Sequence, residues 1–405
     1  MKIKFDLEKD RQYIVNALLS HVKKENYIGI DPSTVRFNPK VLKLINSKIP
    51  IIGRFWSKLV YKIIFISGHR LNPIIKPEKL VFAKGLGLIM AGYSFNYKQT
   101  KNKSYIDLVD ELSEMLIKKK LKNCYLWAHD YDYYIGNVEV TTKTPNLITT
   151  AFVALGYWYA FNNMQIAKYK TLYCSIVEDM AQIFPFIELG TNKGCFMYTP
   201  NTACYVHNAN LLMAELLTYY LSLKDNGKFE GMRKKAIEYS ISDFEGRGYI
   251  PYAGEPTPKL TFDNYHTGYV LRSLNVVQEY TRDSFEKQRI LKVLDWGLDF
   301  YIKEFIDSRG FLVRDHLNTI ETHSLAEAIL MHKIFYFHFD ETSRNRLAKA
   351  IDASLNLLWN DNKGIFNNTA KPILNSKFYY LDKTDMVRWS QAWMIFALSY
   401  GCDLN

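Results

Sequence analysis

A closed double ring of paired helices, an (α/α)6 toroid, is the fold class that three features of this sequence predict. The chain has 405 residues, 48% of them hydrophobic and 23% charged, so it can bury a large core and is neither disordered, collagenous nor a coiled coil. After about residue 80, charged amphipathic stretches alternate with stretches that are apolar nearly all round. The apolar stretches begin near Leu80, Asn146, Asn208, His266, His323 and Arg388, at intervals of 66, 62, 58, 57 and 65 residues, which makes six units of about 60.

Each unit repeats the same elements in the same order. The amphipathic segments at about 103–121, 164–184, 226–241, 284–306 and 340–360 carry Lys, Glu and Asp on one face and Leu, Ile, Tyr and Phe at three- and four-residue spacing, so they read as outer helices. Segments such as NLLMAELLTYYLSL (210–223) and WMIFALSYG (393–401) read as inner helices, packed on every side. Between outer and inner helices lie KGCFMYTP, GRGYIPYAGEP, SRGFLVRD and KGIFNNT, where glycine permits a turn and aromatics alternate with polar residues. An open solenoid of helical pairs is the alternative architecture. The chain divides on this reading into a basic helical segment, residues 1–70, and the toroid, residues 71–405.

Charge is concentrated in the first third: residues 1–125 hold 24 Lys and Arg against 10 Asp and Glu, although the whole chain is only +11. A basic surface suits an anionic membrane, an acidic polymer or nucleic acid; no zinc-finger, RNP or P-loop signature is present, so nucleic acid is not an expected partner. Within residues 49–67, Arg54, Lys58 and Lys62 recur every four residues beside Trp56 and an apolar majority. That segment is read either as the sixth outer helix or as an in-plane helix binding the membrane peripherally. Neither a signal peptide nor a run of about 18 apolar residues is seen, so a cytoplasmic location is expected, with the inner membrane face as the variant. The five cysteines lack CxxC spacing and the inner histidines lie about 58 residues apart, so no metal and no cofactor are expected.

Polar residues gather where the inner helices begin. His207 with Asn210, His266 with Tyr269, and Arg388 with Gln391 are at i and i+3, and His323 with Glu327 is at i and i+4; each pair shares one helix face. Capping needs only Ser, Thr, Asp or Asn, so four successive inner helices opening this way point to a site at one mouth of the ring, where helix N-termini favour an anion.

The strings HNANLL (207–212), DNYHTGY (263–269), THSLAEA (322–328), RWSQAWM (388–394) and WAHDYDYY (127–134) resemble the signature blocks of a bacterial family from capsule and exopolysaccharide gene clusters, the "polysaccharide biosynthesis" proteins. The resemblance runs from about residue 71 to the C-terminus and places Asp132 at the family's acidic position. It implies a toroid related to glycan lyases, unsaturated glycuronyl hydrolases and epimerases, and a substrate that is an oligo- or polysaccharide. Proton abstraction beside a uronate carboxylate needs a base, a carboxylate clamp and an acid. The expected catalytic residues are His207, His266, His323, Tyr265 and Asp132. The expected substrate contacts are Asn208, Asn210, Asp263, Tyr269, Glu327, Arg388, Trp389, Gln391 and Trp393, with Tyr131 and Tyr133 offering flat faces to sugar rings. Two alternatives stay open: a glycoside hydrolase with paired carboxylates among Asp132, Asp263, Glu321, Glu327 and Asp385, and a non-catalytic glycan-binding or assembly protein.

Overall fold

The structure is a computed structural model in which residues 7–36, 38, 41, 68–135, 138–373 and 378–401 are described. The segment 49–67, with its two readings, lies outside the described residues. No helix among those described is long and apolar enough to cross a membrane.

Six inner helices run parallel around one axis: α2 (Ala83–Thr100), α4 (Leu147–Met164), α6 (His207–Leu221), α8 (Asn264–Tyr280), α10 (Thr322–Ile334) and α12 (Ala392–Ser399). Each packs on the next and α12 packs back on α2, which closes the ring. The sequences explain the burial. In α4 every residue from Leu147 to Ala160 is buried, as an apolar-all-round helix requires. Tight approach comes from glycine: a Cβ at Gly87 of α2 would lie 2.5 Å from the Phe152 carbonyl oxygen of α4, and one at Gly156 would lie 2.6 Å from the Gly87 oxygen.

The outer layer comprises α3 (Ser104–Lys119), α5 (Ala167–Ile183), α7 (Gly227–Phe244), α9 (Ser284–Glu304) and α11 (Glu341–Leu358), each antiparallel to the inner helix before it. Side chains of Asn226, Asp283 and Asp340 cap α7, α9 and α11 by accepting first-turn N–H groups.

The sixth outer position is taken by α1 (Leu7–Lys24), which packs on α12. Its Ile14, Val15, Leu18, Leu19 and Val22 are buried, with the i, i+4 and i+7 spacing of a core-facing stripe. After it, β1 (Ile28–Gly29) pairs antiparallel with β2 (Leu80–Val81), so the N-terminal segment laces the first and last repeats together. Through α1 and β1, described parts of residues 1–70 pack against the first and last repeats of the ring.

Short hairpins lie at the mouth where the inner helices start: β3 (Tyr133–Ile135) with β4 (Val138–Val140), and β5 (Phe186–Glu188) with β6 (Gly194–Phe196). Just before α10, β7 (Ile320–Glu321) forms the edge of a three-stranded sheet. Following α11 come β8 (Trp359–Asn360) and β9 (Ile365–Phe366), a hairpin, then β10 (Thr369–Pro372), paired with both β7 and β11 (Tyr379–Asp382). The GRGYIPYAGEP stretch makes only isolated bridges, between Ala253 and both Val206 and Lys259.

Candidate active site

Inner-helix N-termini converge at one end of the ring, and the side chains there divide by direction. His207 is buried and faces outward: its Nε2–H donates to Asp243 Oδ2 at 2.9 Å, its Nδ1 accepts from Ser240 Oγ at 3.1 Å, and its ring stacks on Tyr239, all on α7. Burial lowers its pKa, opposed by the Asp243 bond. Asn210, one turn on, accepts from Phe196 N and donates to Ala236 O and Ser240 Oγ. The i, i+3 pair does share a face, but that face is the one against the outer ring.

Gln391 repeats this role, holding Phe366 N and O of β9 and donating to Asp385 Oδ1. Arg388, the expected carboxylate clamp, is already occupied: its Nε donates at 2.6 Å to Asp31 Oδ2, and Asp31 is fully buried. Glu327 pairs with Arg272, at 2.6 Å from Nε. Asp132 is exposed and accepts Thr142 N at 2.7 Å beside the β3–β4 hairpin. Five of these six, His207, Asn210, Gln391, Arg388 and Glu327, are buried polar groups whose hydrogen bonds go to nearby backbone, hydroxyl or ionic partners, as buried polar groups require.

A second set faces the axis. His323 of α10 lies between the rings of Tyr265 (centroids 4.3 Å, interplanar 10°) and Trp393 (4.5 Å, 25°), with Trp389 edge-on. The Tyr269 hydroxyl hydrogen-bonds His323 Nε2 at 2.6 Å, and His323 Nδ1 has no partner among the described residues. Burial, reinforced by Lys84 and Arg388, holds this imidazole well below its ordinary range, so it is neutral. Also beside Tyr265, at 4.4 Å and tilted to it, is His266, a quarter exposed, whose Nδ1–H donates to Asp263 Oδ2 at 2.7 Å. Asp263 also caps α8 by accepting His266 N at 2.9 Å. With Nδ1 tied, His266 Nε2 is left to act, oriented as an imidazole is by a carboxylate behind it.

Two contributors, Lys84 and His129, lie outside the residues that the sequence pointed to, and a third, Glu321, was expected only as a candidate hydrolase carboxylate. Lys84, in the first turn of α2, is 5% exposed and makes no hydrogen bond or ion pair among the described residues. Its ammonium sits 4.2 Å from the Phe152 ring centroid, 5.0 Å from Trp393 and 5.6 Å from Tyr269. Burial and Arg388 lower its pKa well below the usual lysine range. Glu321, capping position of α10, accepts from Trp389 Nε1 at 2.8 Å, has an unpartnered Oε2, and is pushed up by burial against the pull of Arg314. His129 stacks on Tyr131 and meets Tyr133 edge-on; burial, Arg388 and Lys84 keep it neutral. Tyr133 in turn accepts from Asn146 Nδ2. The only sequence signal for Lys84 was a lone cation opening an otherwise apolar helix.

Unsatisfied buried atoms mark the same region: Asn208 Oδ1, Asn264 Nδ2, Thr267 Oγ1, Glu321 Oε2, His323 Nδ1, Ser324 Oγ, Asn367 Oδ1 and Trp393 Nε1. Native proteins leave few such atoms, and here they gather at the N-terminal ends of the inner helices and the adjoining loops. A cavity of about 10 Å³ between Asn208, Tyr252, Asp263 and His266 is large enough for about one water. Among the described residues no cluster of His, Cys, Asp and Glu is arranged to hold a metal.

Comparison with solved structures places this arrangement on a known scaffold. A sugar epimerase from a ruminal bacterium superposes with a TM-score of 0.59 at 14% identity, over 80% of this chain and 88% of that one. The α-mannanase BT2949 of Bacteroides thetaiotaomicron matches at 0.54 and 12%, over 79% and 86%. A polysaccharide lyase matches at 0.53 and 12%, over 78% and 88%. The chain is an (α/α)6 toroid. No protein-family profile matches it, and no curated protein matches it in sequence. At these identities the likeness is one of fold, and a fold that hosts three different reactions leaves the chemistry to the site.

Proposed function

We propose that this protein is a glycan-processing enzyme that moves a proton on an acidic saccharide, as an epimerase or a lyase. The observation that carries the reading is the pair His266 and His323, on neighbouring inner helices, each in contact with Tyr265 at 4.4 and 4.3 Å between ring centroids. His266, oriented by Asp263 and open to solvent, is the base that takes the proton beside the carbonyl or carboxylate carbon. Tyr269, bonded to His323 Nε2, is the donor side: its hydroxyl proton goes to the opposite face of the carbanion or to the departing oxygen, and the tyrosinate left is held by the His323 imidazole and reprotonated from solvent. Trp389 and Tyr265 offer ring faces to a sugar.

Lys84 replaces Arg388 as the carboxylate partner in this scheme. Arg388 is neutralised by Asp31, whereas Lys84 has aromatic rings around it and no ion-pair partner among the described residues, so a substrate carboxylate supplies the charge that burial denies it. A role in surface-polysaccharide assembly rests on the five sequence blocks.

A second reading, hydrolysis, is favoured by one observation: Glu321 is pushed up while Asp263 is pulled down by His266 against burial, the split expected of an acid and a base. Incubating the protein with glucuronate- and mannuronate-containing oligosaccharides in D₂O separates the readings. Deuterium at the carbon beside the carboxylate without unsaturation identifies an epimerase, and unsaturated uronate a lyase. New reducing ends with neither identify a hydrolase. Deuterium incorporation that persists in His266→Ala removes His266 from the mechanism.

A further inference from the structure

The opposite end of the ring holds a second cavity, of about 280 Å³, open to solvent between the C-terminal halves of the inner helices. Its walls include Glu215 and Tyr219 of α6, Arg272 and Glu279 of α8, Tyr159 of α4 and Tyr400 just past α12. None of these residues belongs to the mouth where the histidines lie. Tyr159 and Tyr219 are 7% and 6% exposed, Arg272 5% and Glu215 2%, so the polar groups are set into the wall rather than hung over it.

Hydrogen-bonding capacity is left over here. Glu215 Oε2 accepts from Ser273 Oγ at 2.7 Å, and its Oε1 has no hydrogen bond among the described residues. Arg272 uses Nε and one amino nitrogen on Glu327 and leaves the other amino nitrogen free of hydrogen bonds among those residues. The Tyr400 hydroxyl also makes none among them. Glu279 accepts from Asn275 Nδ2 with one oxygen.

The charge of the site selects its ligand. Arg272 is neutralised by Glu327, and the Lys333 ammonium is held by the carbonyls of Ala397, Leu398 and Tyr400 at 2.6–3.1 Å. Against Lys333, whose charge those carbonyls do not cancel, stand two carboxylates, Glu215 and Glu279, a net of one negative charge, to which the C-terminal ends of the inner helices add partial negative charge. The volume lies just under the about 300–1,000 Å³ of pockets for drug-sized ligands, which suits one sugar-sized ring and not an oligosaccharide.

We propose that this cavity is a binding site for a small hydroxyl-rich molecule bearing a protonated amine, of which an amino sugar is the simplest member. Its ammonium pairs with Glu215 and Glu279, and its hydroxyls take the Arg272 nitrogen and the tyrosine hydroxyls. The site does not depend on the reaction at the mouth.

Titration of the full chain with D-glucosamine, D-glucose and D-glucuronate, followed by calorimetry and thermal shift, tests it. Saturable glucosamine binding is expected, stronger than glucose, with glucuronate silent at this site. Glu215→Gln and, separately, Tyr400→Phe weaken it, Glu215→Gln by at least about tenfold, the loss of a charge-assisted hydrogen bond; Tyr400 lies beyond the last helix and its substitution keeps the core. His266→Ala leaves the affinity unchanged. Absence of saturable glucosamine binding, glucosamine affinity indifferent to both cavity substitutions, or glucosamine affinity lost only in His266→Ala, each overturns the proposal.

Discussion

His207 and His266 both stand at or near the first turn of an inner helix, and the fold uses them in opposite ways. His207 is bonded at both ring nitrogens to α7, whereas His266 is bonded at one and keeps the other for the mouth. Alanine at His207 therefore leaves Asp243 and Ser240 without partners and opens a gap beside Tyr239. A stability loss of about 2–4 kcal/mol is expected, read as a lowered urea midpoint. Alanine at His266 is expected to abolish deuterium incorporation while the melting temperature stays within a few degrees, since its ring is partly solvated. If the two substitutions behave alike, the division between outward and inward faces is wrong. Sequence identified both histidines as polar residues in an apolar setting but gave no direction, because one residue along a helix turns the side chain by about 100°. Asn208, next to His207, is the one whose oxygen is left unsatisfied near the mouth.

At the scale of elements, contact between helices α2 and α4 depends on two glycines. Gly87 and Gly156 face one another across the interface, and a methyl group on either meets backbone rather than a movable side chain. Gly156→Ala is expected to destabilise the protein by about 1–3 kcal/mol, the cost of overpacking, even though alanine is the better helix former by about 1 kcal/mol. Chemical denaturation of the single variant checks the sign. The same interface sets the site, since Phe152 on α4 carries the ring over which Lys84 of α2 lies. A further local device is the π-helical turn Val387–Gln391 that opens α12. It puts Arg388 toward Asp31, Trp389 toward Glu321 and Gln391 toward β9, a fan that the regular i, i+3 pairing predicted from sequence does not produce.

For the molecule as a whole, the ring that α12 closes on α2 is strapped by the N-terminal segment. α1 covers α12, His21 reaches Asp385 at 2.7 Å, Gly29 lies under Val387, and Asp31 buries its carboxylate on Arg388. Replacing Asp31 by Asn leaves a buried guanidinium without its counter-charge, and a loss of about 3–5 kcal/mol is expected. Glu178→Gln, which breaks the exposed pair with Lys224, should cost at most about 1 kcal/mol. Thermal unfolding of the two variants side by side is the measurement; equal small effects would show that Arg388 is solvated and the N-terminal strap loose.

Period and composition alone determined the double ring, because a repeat of about 60 residues with one amphipathic and one wholly apolar helix has few ways to bury itself. They also determined where the inner helices begin, and therefore which end of the ring collects polar groups. Which of those groups meet at the axis was decided by tertiary structure. Lys84, from the first repeat, stands over rings from α4, α8 and α12, and His323 is gripped by Tyr265, Tyr269 and Trp393 from other helices. Such convergence depends on the rotation of each helix about its own axis and on which partner claims a buried charge first. Asp31 claimed Arg388, and only the folded chain, which brings residues 357 positions apart into contact, contains that fact.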